Sequence, residues 1–190
     1  MPLDVTITLS DEDLHKFQES INKGEMSVAD AENAAEIEDA AAELIGKARE
    51  RDLPQFITDS LFKLQNLLNM IRDEEWQLSE DERNSIRSVL YYFVDPDDVI
   101  PDDVPGIGYL DDALYAEIII KEMKVEIKMY QEFCQFRISE ENRRRIKGLD
   151  PHVGREDWIA DKREVLHARM QERRVLRTGG RGWRMRLIHH

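Results

Sequence analysis

Seven aspartates fall within 18 residues: Asp95, Asp97, Asp98, Asp102, Asp103, Asp111 and Asp112, with no Lys or Arg among them. Carboxylates crowded this way repel one another unless a cation or a basic partner balances them. They are also the natural ligands of Mg²⁺ or Ca²⁺. A metal site here would use Asp98, Asp102, Asp111 and Asp112, and a divalent-metal-dependent hydrolase would do its chemistry with them. A plainer reading stands beside it. Asp111 and Asp112 open a long helical pattern, where free N–H groups and the helix dipole favour anions. Asp98 and Asp102 suit tight turns around Pro101. Known metal templates fail: an EF-hand register started at Asp95 breaks at Val99, and Pro101 interrupts any helical aspartate-rich motif. Capping is the preferred role, and no cofactor is expected, with Mg²⁺ or Ca²⁺ as the alternative.

The second candidate is basic. Arg173, Arg174, Arg177, Arg181, Arg184 and Arg186 surround Trp183, and no acid follows Arg173. Arginines interleaved with an aromatic fit single-stranded nucleic acid or an anionic membrane surface. The rest of the chain argues otherwise. Residues 1–142 hold 34 acids and 13 bases, a net of -21; residues 143–190 hold 6 acids and 14 bases, a net of +8. The arm is expected to neutralise its own acidic body or that of a second copy, so a homodimer stays open and the protein partner unknown. The remaining chemistry-bearing residues are weak. His15, His152 and His167 lack ligand-spaced neighbours and are expected at the surface; His189 and His190 form a terminal pair. Cys134 sits on an apolar stripe as a small core residue. No catalytic residue can be named.

Helices must position these groups. Ser10 caps a run with Asp11, Glu12 and Asp13 in its first turn and Leu14, Phe17 and Ile21 at helical spacing; Gly24 is expected to end it. Ser27 and Asp30 mark a second start, before a stripe of Ala34, Ile37, Ala41, Leu44 and Ala48 that suits close packing within the chain or at a dimer seam. Pro54 opens a third helix over Ile57, Leu61, Leu64, Leu68 and Ile71. Ser79 and Glu82 form a capping box before Ile86, Val89, Leu90 and Phe93. Asp95-Pro96 stops that helix. The longest helix is predicted from about Leu110 to Phe136, with Glu117 and Lys121 paired on its polar side. A short helix over 139–146 is closed by Gly148, and a charged helix runs from Arg155 to about Leu176. Val5, Ile7 and Leu9, and Trp183, Met185 and Leu187, alternate as two short strands at the chain ends.

The stretch from Tyr92 to Ala113 carries the most specific pattern: an aromatic helix end, then Pro96, Asp98, Ile100, Pro101, Asp102, Pro105, Gly108, Tyr109, Leu110, Asp111 and Asp112 at fixed spacings. It resembles the YkvA-like family, the domain of unknown function numbered 1232, over roughly residues 55–135 at most. The resemblance implies a helical hairpin joined by the Asp/Pro loop and no established activity. Asp97 and Asp103 stand where many relatives are apolar. The following helix carries Glu117, Lys121, Glu122, Lys124, Glu126 and Lys128 where many relatives suit lipid, which favours a soluble branch.

The expected fold is mainly α: a bundle of six or seven helices around a central helical hairpin, with the two short strands at its ends. Its parts are residues 1–52 as a strand and helical extension, 53–138 as the YkvA-like core with its loop at 94–112, and 139–190 as the basic helix and arm. One Cys in 190 residues excludes an internal disulfide. Asp4 stands where a signal peptide would be basic, and Ile118 to Ile120 is the longest aliphatic run, so a soluble, cytoplasmic protein is expected. The function read from the sequence is a non-enzymatic interaction or scaffold module using the acidic loop as a recognition surface. The metal-dependent hydrolase and a nucleic-acid or membrane-surface accessory acting through the arm are the alternatives.

Overall fold

The computed structural model describes residues 8–51, 53–94 and 109–178. Seven α-helices follow in order: α1 (Asp11–Ser27), α2 (Ala31–Glu50), α3 (Gln55–Arg72), α4 (Glu80–Leu90), α5 (Leu110–Glu122), α6 (Lys124–Ile146) and α7 (Arg155–Thr178). A 3-10 turn over Tyr91–Val94 extends α4. Among the described residues there is no strand. The two strand patterns fall mainly at positions 1–7 and 179–190, outside the described residues. Of their members Leu9 alone is described, non-helical and packed on the core.

Local signals explain most helix starts. Ser10 and Asp13 form a reciprocal capping box, as do Ser79 and Glu82. Asp30, rather than Ser27, caps α2 by accepting from the Glu32 N–H at 2.8 Å. Pro54 sits at the N-cap of α3, one place ahead of the expected first turn.

Three helix boundaries differ from expectation. Gly24 does not end α1 but lies inside it, fully wrapped where α1 crosses α4. A Cβ there would stand 2.4 Å from the Ser88 carbonyl oxygen and 2.7 Å from the Tyr91 Cβ. The glycine is a contact rather than a stop. The long helix divides at Met123, whose φ of -94° and ψ of 15° separate α5 from α6. No Gly or Pro marks that place, and Met123 is fully buried. Beyond the break, the short helix expected over 139–146 is the continuous end of α6.

Packing follows the apolar stripes. α5 lies chiefly on α3, α1 on α4, α2 on both α3 and α4, and α7 on α6. The stripe of Ala34, Ile37, Ala41, Leu44 and Ala48 is buried within the chain, so it serves intramolecular packing. One continuous core runs from Phe17 in α1 to Met170 in α7. Glu117 does not pair with Lys121. It reaches α3 instead, accepting from Ser60 at 2.7 Å and from Lys63. No helix among the described residues is long and apolar enough to cross a membrane.

Candidate functional site

The acidic segment leaves the body at Val94 and returns at Tyr109, and the structure describes both anchors. On the outgoing side, Tyr92 stacks on Tyr115 with ring centroids 4.3 Å apart, while Phe17 and Phe93 pack edge-on to Tyr92 at 5.4 and 5.7 Å. Such aromatic pairs add to simple burial because ring edges and faces carry opposite partial charge. Tyr115 Oη donates to the Val89 carbonyl at 2.8 Å, tying α5 to the end of α4. On the returning side, Tyr109 is fully buried with φ of 69°, a left-handed conformation that a non-glycine residue holds only when its surroundings demand it. The Arg51 guanidinium lies 5.1 Å above its ring.

Asp111 and Asp112 occupy the first turn of α5, only 4% and 5% exposed. Neither is the N-cap. Tyr109 holds that position, and no side-chain cap hydrogen bond forms. Asp111 also takes a tertiary role: its Oδ2 accepts from the Tyr92 hydroxyl at 3.0 Å. Helix-dipole attraction in the first turn still favours both carboxylates. Asp98, Pro101, Asp102 and Gly108, with Asp95, Asp97 and Asp103, lie outside the described residues. Among the described residues no group of three or more His, Cys, Asp or Glu side chains could hold a metal ion.

The basic candidates divide. Arg173 is exposed. Arg174 is 12% exposed and bridges two carboxylates: it donates to Glu82 of α4, and its Nε to Glu126 Oε1 of α6 at 3.1 Å. Glu82 uses its other oxygen to complete the capping box, accepting from the Ser79 N–H at 2.9 Å. Burial alone would raise Glu82, but the hydrogen bonds from Arg174 and Ser79 override it and hold the carboxyl below its usual range. Glu126 is 1% exposed, and its Oε2 meets no donor. Arg177 lies in α7, while Arg181, Trp183, Arg184 and Arg186 fall outside the described residues.

Sequence reasoning missed the neighbouring cluster. Trp76, in the α3–α4 connection, is fully buried against Phe133 at 5.1 Å and His167 at 4.3 Å. His167 is half-buried rather than at the surface. Burial lowers its pKa, opposed by Glu82 and the Trp76 backbone, and its Nε2 meets no partner. Asp73 and Glu75 flank Trp76. Arg137 of α6 donates to Glu75 at 2.7 Å and meets Asp73 at 2.9 Å. Arg155 and Arg163 of α7 bind the Glu75 carboxylate and its carbonyl. The only local signal was the run Asp73-Glu74-Glu75-Trp76, whose cationic partners lie more than 60 residues away. A cleft of about 360 Å³ opens beside this cluster, lined by Ser79, Glu82, His167, Gln171 and Arg174. Cys134 is half-buried, and burial pushes its thiol up, which suits a packed residue and not a nucleophile.

Comparison with known proteins supports the resemblance read from the loop. Residues 85–116, from α4 through the acidic segment to the first half of α5, match the family described as "Protein of unknown function (DUF1232)". The chain is 31% identical over 70 residues to a protein of Bacillus subtilis (strain 168) named "Uncharacterized membrane protein YkvA". That match covers 34% of this chain and 64% of the relative, so less than two thirds of the relative's length is spanned. No solved structure matches the chain.

Proposed function

We propose that the protein is a non-enzymatic interaction module whose Asp/Pro segment is a recognition surface for a basic protein partner. The observation that carries this reading is the burial of Asp111 and its hydrogen bond from Tyr92. Together with Tyr109 and the Tyr92–Tyr115 stack, it fixes both ends of the segment to the core. Fixing both ends of a chain segment lowers the entropic cost of ordering it on a partner. Asp111 and Asp112 are spent in the frame, which leaves Asp95, Asp97, Asp98, Asp102 and Asp103 for recognition. The hydrolase reading would need the framing carboxylates as ligands or bases as well.

The test combines capture and calorimetry. Immobilised protein should retain a host protein that salt releases, and replacing Asp97, Asp98, Asp102 and Asp103 by Asn should abolish retention with no change in helix content. A saturable heat of Mg²⁺ or Ca²⁺ binding, lost in the same variant, would instead favour the metal site.

A second reading is association with a membrane surface. The Bacillus relative is named a membrane protein. No described helix here is long and apolar enough to cross a bilayer, and this reading places the contact at the membrane surface.

A further inference from the structure

Seven of nine large apolar side chains left exposed among the described residues lie on the α6–α7 pair or the connection between them. Three of them crowd its tip: Ile146 is 86% exposed, Leu149 53% and Val153 67%. The tip is ordered by its own hydrogen bonds. Gly148, with φ of 69°, reverses the chain, its N–H donating to the Arg145 carbonyl at 3.0 Å while the Leu149 N–H donates to the Arg144 carbonyl at 3.0 Å. This pattern closes a helix C-terminus and needs the left-handed residue that glycine supplies. Arg144 then clamps the return limb by donating to the Val153 carbonyl at 3.2 Å, and the His152 N–H donates to Asp150 Oδ1 at 2.8 Å. Residues 145–150 are all exposed, so nothing among the described residues covers the apolar trio. A preformed turn that holds aliphatic side chains in water is costly unless something else takes them up.

The charges around the trio indicate what that is. Between positions 142 and 153 stand Arg143, Arg144, Arg145 and Lys147 against the single acid Asp150, on a chain whose net charge is -13. The nearest other acids are shared among several cations: Glu140 with Arg143 and Arg144, Glu141 with Arg155 and, at 3.8 Å, with Arg145. Arg143 and Arg145 nonetheless keep 54% and 60% of their side chains exposed, and Lys147 is exposed. We propose that the α6–α7 tip docks on an anionic lipid surface, with Ile146, Leu149 and Val153 entering the acyl boundary and Arg143, Arg145 and Lys147 meeting phosphate headgroups. Exposed aliphatic side chains among exposed cations is the composition an interface of headgroups over hydrocarbon takes. The acidic body sets the orientation. It is repelled by the same surface, so only a tip-first approach brings attraction within a Debye length, about 8–10 Å. A second copy of the tip would meet like charges and is the poorer occupant. The proposal rests on the membrane-surface reading and assigns it to this tip instead of the arginine-rich segment at 179–190.

Sedimentation of the full chain with vesicles tests it. Vesicles containing phosphatidylserine should carry the protein down, and pure phosphatidylcholine vesicles should not. Replacing Ile146, Leu149 and Val153 together by Ser should weaken partitioning at least about tenfold. Replacing Arg145 and Lys147 by Gln should weaken it by about fivefold for each cation removed. All five side chains are exposed, so helix content should be unchanged, which circular dichroism verifies. Deleting residues 179–190 should leave binding intact. Vesicle binding that survives the tip variants, or that disappears with residues 179–190, would overturn the tip and spare the membrane reading. Binding to neither vesicle would overturn both. Self-association abolished by the Ser variant, with vesicle binding unchanged, would assign the trio to a second copy and overturn the proposal.

Discussion

His167 shows how burial converts an ordinary residue into a pH-sensitive one. Its ring lies against Trp76 at 4.3 Å, and desolvation places its pKa below the usual 6.5 despite nearby Glu82. The neutral form is thus favoured in the folded state. Above about pH 6.5 the group is neutral in both states and costs nothing. As pH falls below that value the unfolded chain takes up the proton first, so stability is lost from there down to the folded pKa. Replacing His167 by Gln should flatten this loss, so denaturant midpoints of wild type and variant should converge between about pH 7 and about pH 5. Parallel curves would show that the ring carries no linkage. A further loss at lower pH should remain in both proteins. Glu75 is held below 4.5, chiefly by its hydrogen bonds from Arg155, and its contribution persists above 4.5 and fades as pH falls through its folded value. None of this was legible in the sequence, where the residues within helical reach of His167, among them Arg163, Glu164 and Gln171, read as an ordinary charged helix face. Its environment comes from Trp76, 91 positions away. Asp111, by contrast, was visible as a carboxylate in a first turn, and only its acceptance of the Tyr92 proton was not.

Helices were the most legible level, because capping and stripe periodicity are local and the starts of α1, α2 and α4 depend on them. Ser10 and Ser79 act as read, since a box of two residues three apart needs nothing distant. Gly24 and Met123 fail for the opposite reason. A glycine near a helix end reads as a stop, yet Gly24 is required by α4 crossing close by, a fact held in another element. Met123 interrupts α5 and α6 without any breaker residue, so no local pattern announces it. Gly24→Ala separates propensity from packing. In an open helix the change should stabilise by up to about 1 kcal/mol. Here the added Cβ meets the Ser88 carbonyl oxygen at 2.4 Å, backbone that cannot rotate away. We expect a net loss of about 1–3 kcal/mol in chemical unfolding, the range for overpacking. A gain in stability would mean that α1 and α4 move apart freely.

For the whole molecule, the charge division along the chain becomes an assembly device. The sequence pairs a net of -21 with a net of +8, and the structure puts part of that basic segment onto the acidic body: Arg174 bridges Glu82 and Glu126, Arg155 and Arg163 hold Glu75, and Lys162 binds Glu132 at 2.7 Å. Composition foretold attraction but not these partners, because which acid meets which base depends on how α7 lies along α6. The bridges differ in weight. Lys162 and Glu132 are a quarter or more exposed and should contribute little. Arg174 is mostly covered, and Glu126 is 1% exposed. Removing the guanidinium strands two covered carboxylates, Glu82 and Glu126, whereas removing Glu126 as well leaves only Glu82, still bonded to Ser79. Arg174→Met should therefore cost about 3–5 kcal/mol in chemical unfolding. The double variant with Glu126→Met should recover the part of that loss owed to Glu126 and leave the part owed to Glu82, because the apolar pair removes only one of the two desolvated carboxylates. If the double variant is as unstable as Arg174→Met alone, α7 is held by the packing of Leu166 and Met170 and not by its charges. High salt should hardly change the cost of Arg174→Met, since a covered bridge lies beyond the reach of screening ions.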